Sequence, residues 1–304
     1  MKLSSFSKVE LAEHLASHGL VIPCGSFNVQ IQSKISSVVD GLHRLYCDFP
    51  ALESDAFVDF TVKVETPSLF RSHFRPQVNF LCDDRSPFKP LPLAQAFAML
   101  EWGLNWLISS HGHDFLVIHA AVVERDGGAL ILAADPGSGK STLCAALVHA
   151  GWRLLSDELA LVRLSDGLVV PVCRPISLKN RSIEIVKSLG SDVIMGPVCP
   201  DTAKGDIAHM RPPLESVTSL NETAAPAMLV FPRYQADTEL KSSAEGKGHA
   251  FVELIRHAFN FPVLGPQGFE AIDRLINQVE TYRITYSSFD QVLPEIDRLW
   301  PQKK

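Results

Sequence analysis

Three features of the sequence predict an α/β fold. A short apolar run, Ala129-Leu130-Ile131-Leu132-Ala133-Ala134, leads into a glycine-rich turn and then into a helical pattern from Ser141 to Ala150. Strand-like and helix-like segments alternate through the C-terminal third. Hydrophobic residues make up 46% of the chain and charged residues 20%, enough apolar material for a large core. Alternating strands and helices bury their apolar faces as layers of helix on sheet.

At 304 residues the chain has room for roughly two domains. A net charge of −6 gives no basic footprint, which argues against nucleic acid as a partner. Met1 to Lys8 lacks an apolar signal core. The most hydrophobic stretch, Leu91 to Ile108, carries Gln95, Glu101 and Asn105, and its apolar residues fall at helical spacing. It reads as a half-buried helix, not a membrane span. The six cysteines contain no Cys-x-x-Cys pair and read as thiols of a reducing compartment. A cytoplasmic protein is expected.

Residues 1–90 read as an N-terminal α+β region. Ala56 to Val64 alternates with period two, as a strand with one wet face does, and Gln77 to Leu81 is a second strand. The proline-rich segment Pro87 to Pro92 marks a boundary, and residues 91–304 form the second domain. There, Phe115 to Val123 reads as one strand, which Asp126-Gly127-Gly128 turns into the strand feeding the glycine loop. Arg153 to Asp157 is a strand. Glu158 to Arg163 and Leu168 to Val172 form a hairpin, and Arg181 to Leu189 a short helix. Residues 195–213, rich in Gly and Pro, read as a long loop of the kind that carries function. Strands at Ala227–Phe231 and Tyr282–Tyr286 and helices at Ala250–Phe259, Phe269–Val279 and Phe289–Trp300 complete the chain, with a surface loop around Gly246 to Gly248.

The turn itself, Ala134-Asp135-Pro136-Gly137-Ser138-Gly139-Lys140-Ser141, reads as a phosphate-binding loop. Glycines let consecutive backbone N–H groups curl around phosphate oxygens, and the following helix points its positive end at them. Asp135, Pro136, Gly137, Ser138, Gly139, Lys140, Ser141 and Thr142 are the expected nucleotide-binding residues. Lys140 supplies charge for the outer phosphates and Ser141 a hydroxyl ligand for Mg²⁺. Ala134 stands where the usual pattern has its first glycine.

Asp157 and Glu158 end a strand beyond the loop's helix, where one acid can hold metal and the other take a proton. Only a strand end or turn lets two adjacent residues serve one site. His119, in an otherwise apolar run, sits one hairpin away from the loop. A lone histidine there is ordinarily a core residue, but the hairpin brings it close enough to tune a base. Lys204 to Pro213 has the glycine and flanking prolines of a gating loop, with Arg211 as a clamp on the outer phosphate. Lys179, Lys204 and Arg233 are further basic candidates. His111-Gly112-His113 lacks a nearby third ligand and reads as loop.

His119, Gly139-Lys140-Ser141, Gly151-x-Arg153-Leu154 and Ser156-Asp157-Glu158 together resemble the kinase domain of bacterial HPr kinase/phosphorylase. His119 stands 21 residues before Lys140, and Asp157 stands 17 after it, as in that family. The chain looks closest to the HPr-kinase-related kinases of the A type. The resemblance is strongest from His113 to Val162 and is not seen in residues 1–90. It implies a P-loop kinase domain of the HPr kinase/PEP carboxykinase-like type. It also implies ATP, with GTP as alternative, and Mg²⁺ held by Ser141 and Glu158. Asp157 would be the base on a serine hydroxyl of a protein or peptide, and His119 would adjust its proton affinity. The resembling family forms homo-oligomers. One departure stands out: Val172 to Lys179 lacks the acid that the family carries in its later signature, which argues against phosphorolysis.

Two functions follow from these residues. One is a serine phosphotransferase, with residues 1–90 recognising the partner. The other is a nucleotide-dependent switch or NTPase, in which an acid positions water and no phosphoryl group reaches a partner.

Overall fold

The computed structural model describes residues 1–52, 56–67 and 75–301. Among these residues the strands form four sheets, and the protein is a mixed α/β structure.

The N-terminal sheet has the order β1 (Leu20–Cys24), β2 (Phe27–Ser33), β3 (Phe60–Glu65), β4 (Gln77–Cys82), β5 (Leu91–Pro92). From Val29 in β2, Val62 in β3 and Val78 in β4 onward, every second residue is buried, as the period-two pattern requires. The strand expected from Ala56 begins only at Phe60. The residues before it serve a loop: the Asn28 N–H donates to the Asp59 carboxylate (2.7 Å), and the Asn28 amide donates to the Phe57 carbonyl. Helix α1 (Lys8–Ala16) starts with a reciprocal capping box between Ser7 and Glu10. It packs on α2 (Ser36–Leu45) and β2, and α3 (Ala96–His111) packs on α2, β3 and β4. The expected boundary at residue 90 thus falls between β4 and β5, neighbours in one sheet. One apolar core runs across it, from Leu3 to Trp300.

The second large sheet has the order β16-β17-β15-β8-β7-β9. Its strands are β7 (Ala120–Arg125), β8 (Gly128–Ala133), β9 (Arg153–Ser156), β15 (Ala225–Tyr234), β16 (Lys241–Ala244) and β17 (Glu280–Tyr286). β8, β15 and β17 run parallel, and the rest pair antiparallel. Asp126 and Gly127, both with positive φ (55° and 81°), join β7 to β8 in the two-residue hairpin turn that such angles define. β8 is apolar throughout because both its faces are covered. Leu130 and Leu132 enter one core with Leu143 of α4 (Lys140–His149) and Val292 of a C-terminal helix (Phe289–Leu299). Ala129, Ile131 and Ala133 enter another, with Leu254 of a helix at Lys247–His257 and Leu275 of one at Pro266–Gln278.

Three expectations are corrected. Phe115 to Val123 is two strands: β6 (Phe115–Ile118) belongs to a small sheet with β10 (Ala160–Arg163) and β11 (Val169–Val170), and β7 to the large one. The break is at His119, whose N–H donates to the His257 carbonyl (2.7 Å) rather than to a strand neighbour. Residues 195–213 are not a long loop. They hold β13 (Cys199–Thr202) and β14 (Gly205–Met210), which form a sheet in the order β12-β14-β13 with β12 (Ile176–Lys179). Gly205, at φ 85°, marks a hairpin turn, and Ile207 to Met210 are buried. Finally, the helix at Lys247–His257 starts directly after Gly246, where a surface loop was expected.

Candidate functional site

The glycine loop joins β8 to α4, with Gly139 as the helix N-cap. Gly137 and Gly139 have φ of 87° and 89°, the left-handed region that side chains avoid. Gly139 is doubly constrained, because a Cβ there would stand 2.9 Å from Tyr234 Cβ and 3.1 Å from Tyr286 Oη. The end of β15 holds the loop in place: the Tyr234 N–H donates to the Ser138 carbonyl (2.8 Å). Tyr234 and Tyr286 end β15 and β17, the two strands parallel to β8. The loop therefore lies at the carboxyl ends of the parallel strands, where open α/β sheets form their ligand crevices.

A cavity of about 930 Å³ opens at this edge. On one wall stand Asp135, Pro136, Gly137, Gly139, Lys140, Ser141 and Thr142. Tyr234, Tyr286 and the segment Ser287 to Asp290 form a second wall. The third carries Lys179 at the end of β12, Asn180, Arg181 and Ser182 after it, and Lys204 from the β13–β14 turn. His119 and Glu158 lie between.

The acidic pair reaches this place through a bulge. Val122 of β7 faces Ser156 and Val123 faces Leu154, so Leu155 is the extra residue in β9. The strand then ends at Ser156, whose hydroxyl accepts from the Leu159 N–H (3.1 Å). Glu158 emerges on the cavity wall, 3.7 Å from His119 Nδ1. Asp157 lies behind it, 5% exposed, and its Oδ2 accepts from the Ser177 N–H (2.9 Å). The Lys140 ammonium donates to the His119 carbonyl (3.4 Å).

The electrostatics separate the two acids. Burial, followed by the Glu158 charge, pushes the Asp157 carboxyl up to about 7, against the Ser177 N–H, the Ser141 hydroxyl and Lys140. Burial raises Glu158 too, but Lys179, His119, Lys140 and Lys204 outweigh it and hold that carboxyl below its ordinary value. Burial and then Lys140 push His119 down to about 4. The Lys140 ammonium is lowered by burial, with Glu158 and Asp157 opposing. The site can thus present an ionised carboxylate, a second carboxyl whose proton is exchangeable near neutrality, and a loop of N–H groups able to take an anion.

Of the residues the sequence singled out, His119, Asp135, Pro136, Gly137, Gly139, Lys140, Ser141, Thr142 and Glu158 line the cavity. Ser138 contributes its carbonyl to β15, and its hydroxyl is buried. Arg211 is not brought to the cavity. Its guanidinium donates to the Asp48 carboxylate (2.8 Å), and the gating loop expected around it is the buried strand β14. Arg233 is exposed and outside the lining. The His111 ring sits against Phe60 and Trp106. Among the described residues no three His, Cys, Asp or Glu side chains are grouped to hold a metal ion. Ser141 and Glu158 are hard oxygen donors of the kind Mg²⁺ takes, one or two from protein and the rest from substrate and water.

The sequence reading missed Tyr234, Tyr286, Ser287, Ser177 and Arg174. The strands read at Ala227–Phe231 and Tyr282–Tyr286 end at or shortly before the two tyrosines, and the carboxyl ends of such strands were a usable signal for them. Ser177 and Arg174 carried none, because their position depends on how β12 pairs with β14.

A family described as the SynChlorMet cassette protein ScmC matches residues 96–168, under half of the chain. Among curated proteins no sequence matches. Among solved structures, the Hpr(Ser) kinase/phosphatase from Coxiella burnetii aligns over 60% of this chain and 96% of its own, at 11% identity and a TM-score of 0.25. At that score the likeness carries no argument. No helix among the described residues is long and apolar enough to cross a membrane.

Proposed function

We propose that the protein is an ATP-dependent phosphotransferase acting on a serine hydroxyl of a protein or peptide, with GTP as the alternative donor. The observation that carries this reading is the meeting of Lys140, Ser141 and Glu158 on the wall of one cavity, with Asp157 directly behind them. The glycine loop and Lys140 would bind the phosphates. Ser141 and Glu158 would hold Mg²⁺, which when bound neutralises phosphate charge. Asp157, with its affinity for a proton near neutrality, suits a base that must be ionised before reaction and protonated after it. Lys179 and Lys204, which line the same cavity, would take the place of Arg211 as the cations for charge on the transferring group. Tyr234, 43% exposed on the cavity, would offer an apolar face for the nucleotide base. A second reading, with Glu158 as the base, draws support from its place on the cavity wall. The nucleotide-switch reading stands beside both.

The deciding experiment incubates purified protein with γ-labelled ATP and Mg²⁺, with and without lysate of its host. Label on a polypeptide, reduced at least ~100-fold by Asp157→Asn with nucleotide binding retained, is the expected result. Full transfer by Asp157→Asn and none by Glu158→Gln would move the base to Glu158. Free phosphate alone, unchanged by lysate, would select the switch.

A further inference from the structure

Behind the acidic pair lies a second chamber, of about 10 Å³. A chamber of roughly one water's probe volume holds a water when two to four polar groups surround it. Asp157, Arg174, Ser177 and His209 line this one. Their exposures are 5%, 6%, 8% and 3%. One atom of each has no hydrogen-bond partner in the protein: Asp157 Oδ1, Arg174 Nε, Ser177 Oγ and His209 Nε2. Only three other side-chain atoms among the described residues share that condition, on Ser37, Asn79 and Ser138, and none of these residues lines the chamber. A buried polar group without a partner is destabilising, so four around one chamber call for a common partner.

Their chemistry names it. Arg174 Nε–H can only donate, and the Ser177 hydroxyl is free to donate. Asp157 Oδ1 accepts. His209 Nε2 accepts in the neutral ring, which burial favours by pushing the imidazole down to about 4. Two donors and two acceptors are what one water molecule satisfies, with its two lone pairs and two protons. A metal ion does not suit the set, because the Arg174 guanidinium forms part of the wall. The Glu101 carboxylate beside it is already taken by Arg174 (2.9 Å) and by the Tyr46 hydroxyl (2.6 Å).

We propose that a fixed internal water binds Asp157, Ser177, His209 and Arg174 in this chamber, and that through it His209 and Arg174 act as positioning residues for the Asp157 carboxyl. Arg174 is itself anchored by Glu101 and Asn105 of α3. The water therefore links the acidic pair to α3, the helix that packs on β3 and β4 of the N-terminal sheet. The catalytic consequence rests on Asp157 acting as the base; the water site does not.

A crystal structure of the full chain, at a resolution that shows solvent, tests the site. Density within hydrogen-bonding distance of Asp157 Oδ1 and at least two of the other three atoms is expected. Direct bonds among the four side chains, or an ion at metal–oxygen distances, would overturn it. Positioning is tested by phosphoryl transfer in two variants. His209→Leu should lower kcat about tenfold with KM for ATP unchanged, whereas His209→Gln, which keeps an acceptor, should recover to within about threefold of the parent. An equal loss in both variants, or a loss confined to KM, would overturn it. If His209→Leu fails to fold, Ser177→Ala, which removes one donor to the water, carries the same expectation. Asp157→Asn run in parallel keeps the two readings apart. Full transfer in that variant would remove the base assignment, while the density still judges the water.

Discussion

The wall of the cavity formed by the loop residues between Asp135 and Thr142 and the wall formed by Lys179 to Ser182 with Lys204 are built in opposite ways. The first is local. A strand, two left-handed glycines and a helix N-terminus follow one another in the chain, and each step has its own residue signal. The second is assembled from the end of β12 and the β13–β14 turn, more than 20 residues apart, and it exists only because β14 pairs with both strands. A local wall tolerates change at its partners and fails when its own backbone is altered. An assembled wall fails when the pairing beneath it does, and its individual side chains matter less.

Changes at the local wall should be the most damaging. Lys140→Ala is expected to cut nucleotide turnover at least ~100-fold, because no other side chain of the loop could supply the charge that the proposed function gives to this buried ammonium. Turnover at the parental rate in a steady-state assay would remove the phosphate-loop reading and the comparison with it.

The buried groups beneath the assembled wall predict a pH dependence. His209 sits on β14 and is pushed down to about 4 by burial, with Arg174 adding to the shift. Between pH 6.5 and about 4 the unfolded chain therefore binds a proton that the folded one refuses, and stability falls as the pH falls through that window. The loss reaches about 3 kcal/mol at most. Urea melts from about pH 7 to 4.5 should show a shallower decline for His209→Gln than for the parent. Parallel declines would show that His209 is not the group responsible.

Gly139→Ala tests whether the first wall depends on its neighbours. A methyl group 2.9 Å from Tyr234 Cβ, on a residue held at φ 89°, should cost about 1–3 kcal/mol and weaken nucleotide binding about tenfold. Gly137→Ala meets no atom within 4 Å and pays only for its φ of 87°. Equal binding losses in the two variants, measured by calorimetry, would show that the contact with β15 is immaterial.

Arg211→Ala should do least. Its partly exposed pair with Asp48 is worth about 1 kcal/mol or less, and turnover should stay within about twofold. A large loss of turnover with an unchanged melting temperature would return Arg211 to the site.

The legibility of the site follows the same division. The loop, the hairpin that feeds it and the acidic pair were readable because each depends on a few consecutive residues: Asp126-Gly127 for the turn, Gly137 and Gly139 for the loop, Ser156 to Glu158 for the strand end. The bulge at Leu155, which turns the acids toward the loop, leaves no mark in the residue pattern. The segment 195–213 was misread because a glycine and prolines mark a hairpin's turn and end as readily as a loop. What separates the two cases is whether a neighbour such as β12 is present to pair with.

The sequence by itself determined the strand–loop–helix unit, the alternation that gives a layered α/β fold, and the selection of Lys140, Ser141, Asp157 and Glu158 as candidates. These are matters of backbone freedom, apolar periodicity and short range along the chain. The tertiary structure alone decided that Glu158 lines the cavity while Asp157 lies behind it, that Arg211 turns to Asp48, and that Glu101 and Arg174 stand behind the acids. Burial and charge at these places come from residues 20 to 163 positions apart, and only the folded chain brings them together.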